Sequence, residues 1–357
     1  MLEPLLNYSP TKNPVVSLYL NTDMTRRLKE EVLLVLKGFL KDISDRASPY
    51  DVEKIENFFT LEYDWQAKGV AVFSSAEDDF WLNYSFPRPF NDEIQVLPEP
   101  YIRPLVHLLS LHERYGIALV SREQARFFSF NMGELEEFGG ISGTIPGKHK
   151  QGGWAQARYQ RHIDEHAAQQ LKSAAEAFAR LWEKEKFDYA ILGGTEENVK
   201  AFRELLPRPV QEAIATTFTA DIMASVSDLK EELLALIENF ERQRNEELVR
   251  WAITEAAKGR RATSGLDDTI NAVREGRVNI LLLDPEFKAP GKKCLNCGYM
   301  TSQQIEICPV CSFTLDERPD ILNDAVAETL RKGGKIVPLS GNRKLASAGH
   351  VASILRY

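Results

Sequence analysis

No apolar run in this chain approaches the ~18 residues that a membrane-spanning helix requires. The opening Met1-Leu2-Glu3-Pro4 has neither the basic nor the apolar region of a secretion signal. Cysteine is scarce: there are four in 357 residues and none before position 294, which excludes a disulfide framework from most of the chain. Repeats and low-complexity segments are also absent. Positive charge is in deficit, with 44 Lys and Arg against 52 Asp and Glu, a formal charge of −8. That balance speaks against general nucleic-acid binding. It leaves room for one confined basic patch, because electrostatic attraction reaches only about a Debye length, ~8–10 Å. With 43% hydrophobic and 27% charged residues, the composition is that of a globular chain of two or three domains, each able to bury a core. The expectation is a cytoplasmic protein with no membrane partner.

Within this acidic chain the stretch from Thr144 to His162 reverses sign, holding Lys148, Lys150, Arg158 and Arg161 and no carboxylate. At its centre lie Gly152 and Gly153, followed by Trp154, Ala155 and Gln156. Glycine has no Cβ to hold the backbone away from a neighbour and adopts positive φ readily. Flanking cations contact phosphates. The pattern predicts a tip that faces RNA. Its plain alternative is a flexible surface loop.

The cysteines form two pairs, Cys294-Leu-Asn-Cys297 and Cys308-Pro-Val-Cys311, ten residues apart. Two thiolates in a C-x2-C turn grip one ion, and a soft S4 tetrahedron suits Zn²⁺. Gly298 stands where a knuckle turn often needs positive φ. Four protein ligands leave no open position, so one structural zinc per chain is expected. Reduced thiols, disulfides or an iron-bearing S4 site are the alternatives.

Periodicity predicts the elements around these motifs. Val15–Leu20 is a buried strand and Leu28, Val32, Val35, Leu36, Phe39 and Ile43 mark a helix. Gly69–Phe73, Phe80–Phe86 and Ile94–Leu97 are strands, and Pro98 to Pro100 suggests a boundary. A helix at Leu105–Leu111 and strands at Tyr115–Val120 and Ala125–Phe130 precede the glycine stretch. After it, Leu171, Ala174, Ala175, Phe178, Leu181 and Trp182 form a helical stripe. A strand at Phe187–Leu192 ends in Gly193-Gly194, with Thr195 as N-cap of the next helix. Leu229, Leu233, Leu236, Phe240, Leu248 and Trp251 mark a helix of about seven turns or more. Beyond Gly259, Leu266–Glu275 reads as a helix capped by Thr263 or Ser264. Val278–Leu283, Ile336–Leu339 and Ala352–Leu355 read as strands, and Ala325–Arg331 as a helix. The expected domains are 1–98, an N-terminal α/β domain, 99–258, holding the glycine loop, and 259–357, an α/β domain with the cysteines.

The basic glycine stretch, the order of hairpin, loop, helix and strand around it, and the closing Gly349-His-Val-Ala-Ser-Ile-Leu-Arg-Tyr357 resemble archaeal- and eukaryotic-type class I peptide chain release factors. The G-x-x-Q spacing from Gly153 to Gln156 is similar to the variant of the ribosome-rescue branch. The resemblance implies an α/β protein of three domains: a central release-factor-type domain with the glycine-rich loop and a C-terminal α/β domain bearing a zinc ribbon. It implies the ribosome and peptidyl-tRNA as partners, with a translational GTPase or ATPase as a further one, and peptidyl-tRNA ester hydrolysis as the activity. Gly152, Gly153 and Gln156 would carry the reaction, with Gln151 as second candidate for the glutamine. Lys148, Lys150, Arg158 and Arg161 would hold phosphates. Asn-Ile-Lys-Ser, a stop-codon motif of true termination factors, is absent, which favours rescue over ordinary termination. Two further readings stand beside this one. One is a non-catalytic, Pelota-like ribosome-splitting factor, suggested by Trp154 at the usual glutamine position. The other is a zinc peptidase built on His162-Ile-Asp-Glu165-His166, whose plain alternative is a charged helix start.

Overall fold

The computed structural model describes residues 1–8, 14–110, 113–142 and 154–357, without the side chains of 77, 110, 142 and 154–164. The chain forms two compact units: Met1–Leu111 together with Asn245–Tyr357, and His112–Arg244. The domain boundaries expected from sequence are at 98 and 258.

The first part of the discontinuous unit contains α1 (Glu3–Asn7), β1 (Val15–Asn21), α2 (Lys29–Asp42), α3 (Pro49–Asn57), β2 (Gly69–Ser75), β3 (Phe80–Phe86), β4 (Glu93–Leu97) and α4 (Arg103–Ser110). The strands form an antiparallel sheet in the order β3-β2-β1-β4. Side chains alternate across a strand, and here both faces are covered. Val16, Leu18 and Leu20 pack with Val32 and Leu36 of α2 and Ile55 of α3. Val15 and Tyr19 join the opposite core, with Phe73, Tyr101 and Leu105. Leu28 is exposed at the helix start and does not enter the core.

The continuous unit contains β5 (Tyr115–Val120), β6 (Gln124–Asn131), β7 (Glu134–Ser142), α5 (Trp154–Glu185), β8 (Tyr189–Gly194), α6 (Glu196–Leu205), α7 (Arg208–Glu212), β9 (Ile214–Phe218) and the first part of α8 (Val226–Ala257). Its five strands are ordered β7-β6-β5-β8-β9. The hairpin pairs are antiparallel, while β5, β8 and β9 run parallel. Ala118 and Val120 face Leu171, Ala175 and Phe178 of α5 and Phe202 of α6. Tyr115, Ile117 and Leu119 face Leu229, Leu233 and Ile237 of α8. Alternate residues of β5 thus serve two helical layers, which is why its sequence reads as an unbroken apolar run. Thr195 caps α6 as expected, its side chain accepting from the Asn198 N–H at 3.4 Å.

The remainder of the discontinuous unit contains β10 (Ala262–Ser264), α9 (Leu266–Arg274), β11 (Val278–Leu283), β12 (Gly291–Lys293), β13 (Met300–Thr301), β14 (Asp316–Arg318), α10 (Ile321–Arg331), β15 (Lys335–Pro338), α11 (Arg343–Ser347) and β16 (Val351–Leu355). One sheet has the order β10-β16-β11-β15, and a small sheet has the order β13-β12-β14. Two expectations are corrected here. Gly265, at φ +86°, is the N-cap of α9, with no side-chain cap bond. Thr263 lies in β10, and its hydroxyl is bonded to Thr269 and Ser353. Trp251 of α8 is 43% exposed, because Val249 and Ala252 present the buried face there.

The two sequence-distant parts of this unit share one core. Tyr19, Phe73, Tyr101 and Leu105 cluster with Leu281, Ile321, Leu322 and Ala325. Buried polar contacts fix the same junction. The Ile102 N–H donates to Asn323 Oδ1 at 2.8 Å, and the Tyr101 hydroxyl donates to Asp320 at 3.2 Å.

Candidate functional sites

The glycine stretch connects β7, which ends at Ser142, to α5, which begins at Trp154. Gly152, Gly153, Lys148, Lys150 and Gln151 lie outside the described residues. Gln156 is the third residue of α5, and Arg158 and Arg161 follow it in the same helix. The helix has 32 residues, and its later turns are fixed on the sheet through Leu171, Ala174, Ala175 and Phe178. Its first turn belongs to the same continuous helix. The N–H groups of a first helical turn have no intrahelical acceptor and carry the positive end of the macrodipole, so this end favours anions. His162, Glu165 and His166 also lie within α5, the two histidines four residues apart.

The four cysteines converge. Their sulfur atoms all lie within 4.8 Å of one another, with Cys294 and Cys311 at 3.4 Å and Cys297 and Cys308 at 3.5 Å. A tetrahedron with ~2.3 Å metal–sulfur bonds has sulfur–sulfur edges of ~3.8 Å, so the donor set fits one ion. Each pair sits in the same turn. The Cys294 N–H donates to the Tyr299 carbonyl and the Gly298 N–H to that of Cys294; Cys308, Phe313 and Ser312 repeat the arrangement. Gly298 takes φ +73°, as expected, and Ser312 takes φ +61° at the equivalent place. The Asn296 side chain and the Phe313 N–H hold the Cys311 thiol down at about 6, favouring the thiolate that a cation needs. At Cys297 the Tyr299 N–H pulls the same way, but desolvation and the neighbouring thiols push it up to about 12. Clustered thiols share protons in this manner until a cation replaces them.

Sequence reasoning missed two charged groupings beside this module. Lys293, next to Cys294, reaches both oxygens of Glu99, at 2.5 and 2.7 Å, and Asp324 at 2.9 Å. Burial pushes Glu99 up, but the Lys293 ammonium, aided by Arg331 and Arg318, holds it below its ordinary range. Asp324 shares the same lysine yet is raised, because its deeper burial outweighs Lys293 and Arg318. The second grouping centres on buried Arg103, which pairs with Asp320 and donates to the carbonyls of Asp284, Pro285 and Phe287. A cavity of about 450 Å³ lies there, lined by Arg88, Phe90, Tyr101, Arg103, His107 and Lys288 among others. Burial, then the Arg103 charge, holds His107 below its ordinary range, so its imidazole is neutral at pH 7. Each grouping joins residues some 200 positions apart, and no local spacing announces them.

Residues 100–238 match the profile of bacterial archaeo-eukaryotic release factor family 10. Peptide chain release factor subunit 1 of Methanocaldococcus jannaschii is 24% identical, with 100% of this chain and 96% of the relative covered. The protein of the same name from Methanopyrus kandleri is 27% identical over 56% of this chain and 50% of its own. Among solved structures, archaeal translation termination factor aRF1 aligns at 16% identity and a TM-score of 0.29, covering 100% of this chain and 96% of that one. Dom34 of S. cerevisiae, a translation termination-like factor, aligns at 11% identity and a TM-score of 0.43, covering 83% of each chain. Among the described residues, no helix is long and apolar enough to cross a membrane.

Proposed function

From the premise that this chain is a bacterial archaeo-eukaryotic release factor-like protein, we propose that it acts at the ribosome in the cytoplasm, in termination or, by preference, rescue of stalled complexes. The reaction in this reading is hydrolysis of peptidyl-tRNA. The observation that carries it is the position of the paired glycines: they immediately precede the first turn of α5, inside the segment that matches the release-factor profile.

Ester hydrolysis needs a positioned water and stabilisation of the oxyanion that develops on the carbonyl. Gly152 and Gly153 let the backbone enter a narrow RNA cavity. The Gln156 amide admits one water and excludes the bulk, and a nearby N–H of the first turn serves the oxyanion. Neither glycine nor glutamine is a general base at neutral pH, so proton transfer falls to the ribosome and tRNA. Lys148, Lys150, Arg158 and Arg161 hold phosphates. In this reading 1–98, 99–258 and 259–357 are the working domains; the first and third share one core, to which Tyr101 and Leu105 of the second also belong. Cys294, Cys297, Cys308 and Cys311 hold one structural Zn²⁺ in a ribbon, and a translational GTPase or ATPase delivers or removes the protein.

The deciding experiment mixes the purified protein with stalled ribosome–nascent-chain complexes and measures peptide freed from tRNA. Gln156→Ala is expected to lower release by about 10²-fold or more while ribosome binding persists, since the group acts in the transition state. Gly153→Ala acts likewise by displacing the tip, whereas Gln151→Ala and Trp154→Ala are milder. Undiminished release by Gln156→Ala would sink the assignment of that residue. Trp154, directly after the glycines, favours one second reading, a Pelota-like factor that splits subunits without hydrolysis. Subunit separation with no peptide release by the unmutated protein would establish it.

A further inference from the structure

Helix α9 is tied to the cysteine module at both ends. In its first turn Asp267 accepts from the Ser302 hydroxyl, just beyond β13. At its last residue the Arg274 guanidinium lies 4.8 Å from the centre of the Tyr299 ring. Tyr299 closes the first knuckle: its carbonyl accepts from the Cys294 N–H at 2.8 Å, its own N–H bonds the Cys297 thiol, and its side chain packs on the module's core. A cavity of about 300 Å³ opens there, lined by Cys294 and Cys297 together with Arg274, Lys293, Arg331 and Lys332 among others. Cys297 is the most exposed of the four cysteines.

The charges of this cavity do not balance among themselves. Its lining holds three carboxylates, Glu99, Asp324 and Glu328, against four cations. Lys293 is taken by Glu99 and Asp324, while Lys332 and Arg331 share Glu328 at 3.0 and 3.6 Å. Arg274 is left over. Among the described residues it has no carboxylate partner, and its charge lies over the Tyr299 ring. Four thiolates around one divalent ion carry an excess of negative charge, which gives that surplus cation a counterpart within the chain. With the ion in place, cavity and cluster together have no positive excess for an anion from outside.

We propose that Arg274 is a positioning residue for the metal: its charge offsets the thiolates on the cavity side, and its packing on Tyr299 keeps the first knuckle closed, so that Zn²⁺ is lost slowly. The inference rests on the reading of Cys294, Cys297, Cys308 and Cys311 as one Zn²⁺ site.

The test loads the full-length protein with Zn²⁺ and follows transfer of the ion to an excess of a chromogenic chelator. Arg274→Gln is expected to lose zinc about tenfold faster, the lower end of what partners of metal ligands contribute. Arg274→Lys keeps the charge and should stay much closer to the wild type. Added salt should speed release from the wild type more than from Arg274→Gln, which has no charge there to screen. Inorganic phosphate at constant ionic strength should change neither. The metal-free forms of the wild type and Arg274→Gln should melt together; a lower melting temperature in the variant would assign the residue to the fold instead. Equal acceleration in the Lys and Gln variants would leave only packing and reject the role of charge. Unchanged release by Arg274→Gln, or a saturable response to phosphate that this variant abolishes, would overturn the proposal and leave the zinc site standing. A protein that takes up no Zn²⁺ would overturn both.

Discussion

At Gly194 the backbone stands at φ +140°, and a Cβ there would lie 2.2 Å from the Val120 carbonyl oxygen. Gly194→Ala therefore combines backbone strain with a clash against a paired strand and should cost about 2–4 kcal/mol in urea unfolding. Ser312 is the opposite case, a residue with a Cβ held at φ +61° in the second knuckle. Ser312→Gly should gain under about 1 kcal/mol, visible as slower loss of metal to a chelator. Glu99 gives a pH signature. Its folded pKa lies below its ordinary value, with Lys293 the group that holds it down. Its contribution is therefore complete above about pH 4.5 and is lost as pH falls through the folded value. Glu99→Gln should cost about 1–3 kcal/mol at pH 7, and the gap in melting temperature from the wild type should close as pH falls below the ordinary glutamate value of 4.5. A gap independent of pH would assign the loss to packing alone. Residues of this sort were only half legible in the sequence. Gly298 could be read because its knuckle is local, whereas Glu99 and Lys293 are separated by 194 positions and look like any surface charges.

At the scale of elements, legibility followed burial. Strands such as β1 and β5 carry apolar residues on both faces and were read almost to the residue. By contrast, β7 escaped: with glutamates at 134, 136 and 137 and glycines at 139 and 140 it shows no alternation, and only pairing with β6 makes it a strand. The same limit applies to β9, a short edge strand beside β8. The convergence of the cysteines was legible because each C-x2-C turn is set locally. The exposure of Phe313 was not, because nothing in a sequence distinguishes an outward Phe from a core one. Two predictions belong here. Cys297→Ser should abolish zinc content and disorder β12–β14 while the far-UV spectrum of the helices changes little, as three short strands carry few residues. Replacing Lys148 and Lys150 with Glu should weaken ribosome binding and flatten its dependence on salt, with little change in melting temperature.

Taken whole, the chain has one continuous unit inserted between two parts of another, a division that local patterning could not reveal because α8 runs through the second crossing without interruption. The cysteine module belongs to the discontinuous unit. Urea unfolding should accordingly show two transitions, and a strong zinc chelator should shift only one; a single transition shifted as a whole would contradict the division.

The shared core also sets a timetable for synthesis. Leu5 and Tyr19 emerge early, yet their partners Ile321, Leu322 and Ala325 are made some 300 residues later. At ~5–20 residues per second that is a wait of about 15–60 s. By the end of that interval the inserted unit has everything it needs to fold, while one face of the amino-terminal sheet has only its early partners, such as Tyr101 and Leu105, and lacks Leu281, Ile321, Leu322 and Ala325. A polysome making this protein carries a population of nascent chains with that face only partly covered. Slowed elongation between about codons 110 and 320 should raise their capture by chaperones, whereas the same delay placed after Ile321, Leu322 and Ala325 have emerged should not.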